Sequence, residues 1–161
     1  MEPTLHIMVG LPCSGKTTCA KALEKATGAI RFTPDEWQLR LFGQDAAAPE
    51  HDQRHDEIEA LMRETAWKII AIGHSVILDF GFWALCQRDE MREIARQLGA
   101  DFRIHYMNTP LDEIYRRLDA RNAAGRADVF VISHEDMAGY LPHWQPPQPD
   151  EPDVEFRSCE R

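Results

Sequence analysis

The stretch Gly10-Leu-Pro-Cys-Ser-Gly15-Lys16-Thr17 constrains this chain more than any other. It follows an apolar run (Leu5, Ile7, Met8, Val9) and precedes a helix-forming one that begins Thr18-Cys19-Ala20-Lys21. That is a G-x-x-x-x-G-K-[ST] phosphate loop in the setting it requires, between a buried strand and a helix. Glycines at 10 and 15 allow a backbone path on which successive amide N–H groups point inward, and the helix opening near Lys16 adds its positive end. Lys16 is expected to face solvent until it reaches the β- and γ-phosphates, and the Thr17 hydroxyl to ligate Mg²⁺. Pro12, Cys13, Ser14 and Thr18 complete the loop read as holding the triphosphate. With every fixed position filled, a nucleoside triphosphate site is favoured over a mere glycine-rich turn.

The 161 residues suit one domain with a proper core, and carry a net charge of -9. The basic residues are mostly Arg and dispersed, which argues against a duplex nucleic-acid partner. No apolar run is long enough to cross a bilayer, and the N-terminus enters a core strand at once. A cytoplasmic protein without a secretory leader is expected. Cys13, Cys19, Cys86 and Cys159 form no C-x-x-C pair and read as free thiols in a reducing compartment. Cys13 lies inside the electropositive loop, where its thiol pKa could be lowered, but a variable loop position filled by a small residue is the favoured reading.

Along the chain, Leu5 to Val9 reads as strand one, and a helix follows the loop to about Ala26, stopped by Gly28. Ala29 to Thr33 reads as strand two. Thr33-Pro34-Asp35-Glu36 reads as a capping box opening a helix that ends at Gly43. Gln44 to Glu57 is polar and irregular, a loop for the substrate side; His51 and His55 in it fit a solvated helix start better than a metal site. The longest helix is expected over about Arg54 to Ile72, burying Ile58, Leu61, Met62, Thr65, Ile69 and Ile72. Ser75 to Asp79 is a buried strand ending in a carboxylate, Leu85 to Leu98 a helix, and Phe102 to Met107 a fourth strand. Pro110 opens a helix to about Asn122, with Leu111, Ile114, Tyr115 and Leu118 on its apolar face. A polar link, Ala123 to Asp128, leads to Val129–Ile132 and a helix capped at Ser133. The Pro-rich segment His143 to Pro152 reads as an extended crossing, and Asp153 to Arg157 as a last strand.

Strands alternating with helices predict a parallel sheet covered on both faces, a three-layer αβα sandwich. Ligands in such sheets bind at the carboxyl ends of the strands, where Gly10, Asp35 and Asp79 all fall. Guanine-specific switches need Asn-Lys-x-Asp late in the chain; here the comparable place reads Asn108-Thr-Pro-Leu-Asp112, without the Lys. Phosphoryl transfer needs a metal anchor, a group to take the acceptor's proton, and cations for the developing charge. Asp79 fits the first, Asp35 the second, and Arg117 with Arg121 a short lid around residues 117–128 for the third.

The set formed by the phosphate loop, Phe32-Thr-Pro-Asp-Glu-Trp37, Leu41-Phe-Gly43, Val76-Ile-Leu-Asp-Phe-Gly-Phe-Trp83 and Arg116-Arg-Leu-x-x-Arg-Asn122 resembles a bacterial family of small AAA-type ATP-binding proteins. These are similar to zeta toxins, chloramphenicol phosphotransferase and the kinase domain of polynucleotide kinases. The resemblance runs from about Leu5 to Pro147. It implies a shikimate-kinase-like P-loop NTPase fold of strand order 2-3-1-4-5, ATP with Mg²⁺, and transfer of phosphate to a hydroxyl. By the same resemblance Asp35 matches the catalytic Asp, and Arg117 and Arg121 match lid arginines. Relatives often carry an Arg three residues after that Asp; this chain has Gln38, with Arg40 two further on. The reading is an ATP-dependent kinase of a small hydroxyl-bearing molecule, a monomer or homodimer without a membrane partner. Its alternatives are a polynucleotide 5′-hydroxyl or nucleotide-sugar kinase, and a non-catalytic ATP-binding switch.

Overall fold

The structure is a computed structural model and describes residues 2–157; the Cys159 expectation lies outside the described residues. β1 (Thr4–Val9) leads through the phosphate loop into α1 (Lys16–Thr27), then β2 (Ile30–Phe32) and α2 (Pro34–Phe42). α3 (His51–Ala71), β3 (Val76–Gly81), α4 (Leu85–Leu98), β4 (Asp101–Met107) and α5 (Leu111–Ala123) follow. α6 (His134–Tyr140), a short 3₁₀ turn (Leu141–His143) and β5 (Val154–Arg157) close the described chain. The five strands are all parallel in the order β2-β3-β1-β4-β5, as the resemblance implies.

β1 is central because every residue from Leu5 to Val9 is apolar or buried. Alternation along it sorts the layers. Leu5, Ile7 and Val9 face α3 and α4 through Ile58, Met62, Ala66, Ile70, Met91 and Ala95. Met8 faces the other way, with Ile77, Met107 and Ala20 of α1. α5 and α6 pack their own row, Ile114, Leu118 and Met137, against Leu11 of the loop.

Three local expectations are corrected. α3 buries Ile58, Met62, Ala66 and Ile70, whereas Leu61 and Ile72 are exposed. A row spaced by four advances about 40° at each step, so the buried face swings away from the row carrying Leu61, Thr65 and Ile72. Thr33 makes no capping bond on α2: its hydroxyl donates to Asp79 and accepts from Arg31, whose guanidinium also takes Glu36. The irregular segment is shorter than expected, because α3 starts at His51.

His51 and His55 stand at a helix start as expected, but not a solvated one. They join a half-buried network around Gln38, which is fully buried. The Gln38 amide donates to the Asp45 carboxylate at 3.3 Å and to the His51 carbonyl at 3.0 Å, while its carbonyl oxygen lies 2.9 Å from His55 Nδ1. Asp45 in turn holds His51 Nδ1 at 2.9 Å and Arg54 at 3.0 Å. Gln38 thus ties α2, the 43–50 turn and the first helical turns of α3 into one unit. Gln38→Leu strands the Asp45 and His55 groups in a buried site, where each unmet partner costs about 1–3 kcal/mol. A loss of roughly 2–4 kcal/mol in urea unfolding is expected; a loss below ~0.5 kcal/mol would remove this assignment.

A second buried polar pair crosses β1 and β4, where His6 Nδ1 lies 3.0 Å from His105 Nε2. Burial first, and then the facing His105, pull His6 down to about 4, and burial also lowers His105. Unfolded histidine binds its proton near pH 6.5. The unfolded chain therefore gains protons that the folded pair refuses, and stability falls from about pH 6.5 to about pH 4. Relative to His6→Leu, the wild type should lose on the order of 2–3 kcal/mol across that window. Parallel stability curves from pH 7 to pH 4 would show that the imidazoles titrate alike in both states.

Candidate active site

At the carboxyl ends of β1 and β3 the loop from Gly10 to Gly15 turns into α1. Gly10 (φ 156) has no room for a side chain: a Cβ there would meet Ser14 Oγ at 2.5 Å. Gly15 is left-handed at φ 102, as is Cys13 at φ 62. The loop's carbonyls are taken from outside. Lys16 Nζ donates to Leu11 O at 2.8 Å, Thr109 Oγ1 to Ser14 O at 2.8 Å, and Trp83 Nε1 to Gly10 O at 3.1 Å. Lys16 is consequently half-buried and folded back on its own loop, not facing solvent as expected. Burial lowers its pKa, with Asp79 and Asp35 opposing.

Asp79 comes from β3, which runs two residues past it to Gly81. Its Oδ2 accepts from Thr17 Oγ1 at 2.7 Å and from Thr33 Oγ1 at 3.1 Å. The other oxygen, Oδ1, is buried with no hydrogen-bond partner among the described residues. Burial raises the Asp79 pKa, and Lys16 and the two hydroxyls oppose this. A buried carboxylate oxygen without a donor, beside a threonine hydroxyl at the mouth of a phosphate loop, is chemistry that suits Mg²⁺ or its water shell. Thr17 and Asp79 fit the ion. Among the described residues no group of three or more His, Cys, Asp and Glu forms a metal cluster.

Asp35 sits in the first turn of α2 with its side chain 61% exposed, and His55 Nδ1 is 3.9 Å from its Oδ1. The His55 pKa is raised, first by the hydrogen bond to Glu59 and then, against burial, by the Asp35 charge. Opposite, Arg117 bonds Glu113 at 2.6 Å and approaches Ser14 O at 3.5 Å. Arg121 donates to Phe130 O at 3.2 Å and leaves its Nε buried and unpaired among the described residues.

A cleft of about 1790 Å³ gathers Lys16, Thr17, Thr18, Asp35, Asp79, Arg117 and Arg121, with Pro12, Cys13 and Gly15. Gly10 and Ser14 lie behind it, both buried, and shape the loop from beneath. Cys13 lies in the cleft, yet its thiol pKa is raised: burial outweighs the pull of Arg121, Lys16 and Arg117. Gln38 is absent from the wall, being consumed by its own network, whereas Arg40 is exposed along it. Sequence reasoning missed the parts played by Thr33, Trp83 and Thr109. Only Trp83 carried a signal, an aromatic residue two positions after a glycine at a strand end.

No helix among the described residues is long and apolar enough to cross a membrane. No curated protein matches the sequence. Among solved structures, Kti12 from Chaetomium thermophilum in complex with ADP-AlF3 superposes with a TM-score of 0.74 at 16% identity, over 97% of this chain and 89% of that one. A gluconokinase from Sinorhizobium meliloti 1021 gives 0.67 at 15% identity, over 99% and 85%. A chain of the Pnkp1/Rnl/Hen1 RNA repair complex gives 0.70 at 22% identity, over 88% of this chain but 43% of that one, so this chain spans less than half its length. At these identities the likeness is one of fold. The model of the AAA domain family matches residues 5–141. With its all-parallel sheet and phosphate loop, the chain belongs to the AAA domain family.

Proposed function

We propose that this protein is an ATP-dependent phosphotransferase that phosphorylates a hydroxyl of a small molecule. The observation that carries this reading is the meeting, in one cleft, of Lys16, the Thr17–Asp79 pair with its unpartnered Oδ1, Asp35, and the two arginines of α5. Fold neighbours that include a gluconokinase, and a protein held with ADP-AlF3, agree with it.

Lys16 exchanges the Leu11 carbonyl for the β- and γ-phosphates, a short swing for an ammonium already at the loop. Bound through Thr17 and Asp79, Mg²⁺ would neutralise charge on the same phosphates. Asp35 accepts the proton of the acceptor hydroxyl as its oxygen bonds to the γ-phosphorus, and the bond from that phosphorus to the bridging oxygen breaks to release ADP. Arg117 and Arg121, on the lid around residues 117–128, face the charge that spreads over the transferring group.

The rival acceptor, a polynucleotide 5′ end, is disfavoured by the acidic side of the cleft. α2 and the start of α3 present Asp35, Glu36 and Asp52 there beside Arg40, His51 and His55. The switch reading is separated from the kinase reading by Asp35, since a base adds nothing to nucleotide affinity. Asp35→Ala should bind Mg·ATP as tightly as wild type in calorimetry while transfer falls by roughly 10²-fold or more. Weakened ATP binding with transfer untouched would overturn the base assignment. Lys16→Ala should abolish turnover with the fold kept, and Arg117→Ala and Arg121→Ala should each lower kcat by on the order of 10²–10³-fold with little change in Tm. Full activity in both arginine variants would reduce them to a helix surface.

A further inference from the structure

The Pro-rich crossing before β5 has no part in the chemistry above, yet it ends in a buried ion pair. Arg88 of α4 is 1% exposed and Glu151 of the crossing 6%. The guanidinium is bound in a fork, Nε to Glu151 Oε1 at 2.7 Å and Nη2 to Oε2 at 2.9 Å. Its remaining amine, Nη1, donates to three carbonyls: Phe82 at 3.2 Å, Trp83 at 3.2 Å and Gln145 at 3.0 Å. Desolvating two charges is expensive, and such a pair is weak evidence for stability alone. What it grips is informative. Phe82 is a non-glycine residue held at φ 46, a left-handed conformation that a bulky residue adopts only where its surroundings impose it. That turn carries Trp83 back over the strand end, where Nε1 donates to Gly10 O at 3.1 Å. Gly81 leaves the space, since a Cβ there would stand 3.1 Å from the same nitrogen.

We propose that Arg88 is a positioning residue for the phosphate loop, acting through the left-handed Phe82 turn and the Trp83–Gly10 hydrogen bond, with Glu151 of the C-terminal crossing holding Arg88 in place. Neither Arg88 nor Glu151 lines the cleft. The crossing thereby sets how well the loop is formed before a nucleotide arrives, and an unformed loop must be ordered at the expense of affinity. The link to nucleotide rests on the ATP-binding reading above.

Two measurements on the full chain test this: amide hydrogen exchange across residues 10–17 without ligand, and Mg·ATP affinity by calorimetry. Trp83→Phe keeps the ring against Tyr140 and removes only the donor. It should speed exchange in the loop and weaken Mg·ATP by about fivefold, the worth of one hydrogen bond, with Tm nearly unchanged. Arg88→Lys cannot reproduce the fork and should show the same loop pattern with a lower Tm. If that variant does not fold, Glu151→Gln takes its place. Wild-type exchange and affinity in Trp83→Phe would overturn the proposal, as would a folded Arg88 or Glu151 variant with a wild-type loop. If wild type binds no ATP, the nucleotide reading falls, and loop exchange alone decides whether the positioning role stands.

Discussion

The Asp79 carboxylate is the group on which the site depends. It is 6% exposed within the last half of β3, where an ionised group survives only if its surroundings replace water. Two threonine hydroxyls do so on one side, Thr17 from α1 and Thr33 from the approach to α2. Three elements are thereby brought to one oxygen. The second oxygen keeps an unmet demand, and Lys16 stands close enough to act on its charge. A site holding one unsatisfied buried acceptor is costly when empty and well disposed toward a cation.

The sheet was readable because hydrophobicity alone dictates it. Residues 5–9 and 76–78 are buried on both faces and apolar but for His6, which suits only strands covered from both sides, and the helices between them then force parallel pairing. The phosphate loop was readable because its glycines answer to steric need, as the 2.5 Å clash at Gly10 shows. Long-range competition was not readable. Thr33 and Glu36 have the spacing of a capping box, but Asp79 and Arg31, distant or on another element, outbid the backbone for their side chains. His51 and His55 looked solvated because nothing nearby in sequence shows that Gln38 will be buried between them. Lys16 was expected to face solvent, but its burial is a property of the folded loop, and burial lowers its pKa. Burial likewise raises the Cys13 thiol against its cationic neighbours.

The loop itself illustrates how side chains dictate backbone direction. Every buried carbonyl needs a donor. Here the carbonyls of Gly10, Leu11 and Ser14 find theirs in Trp83, Lys16 and Thr109, from β3's exit, α1 and the turn after β4. The Ser14 amide adds a bond within the loop, to the Leu11 carbonyl at 3.2 Å, so the path is held from inside as well as from its neighbours. The glycines permit this path, and the three donors select it.

The charges of the cleft are sorted by element, and the sorting bears on direction of transfer. α1 and α5 contribute Lys16, Lys21, Arg116, Arg117 and Arg121, whereas α2 and the start of α3 contribute Asp35, Glu36 and Asp52 beside Arg40, with Lys21 reaching across to Glu36 at 2.9 Å. On a chain of net charge -9 this cationic wall stands against the average, and low-dielectric walls focus such a field within a cleft. A triphosphate entering between the walls is drawn to α1 and α5 and repelled by α2. On the phosphotransferase reading proposed above, that field would turn the terminal phosphorus toward Asp35, keep the phosphate oxygens on the arginine side, and leave the Asp35 lone pairs to an acceptor hydroxyl.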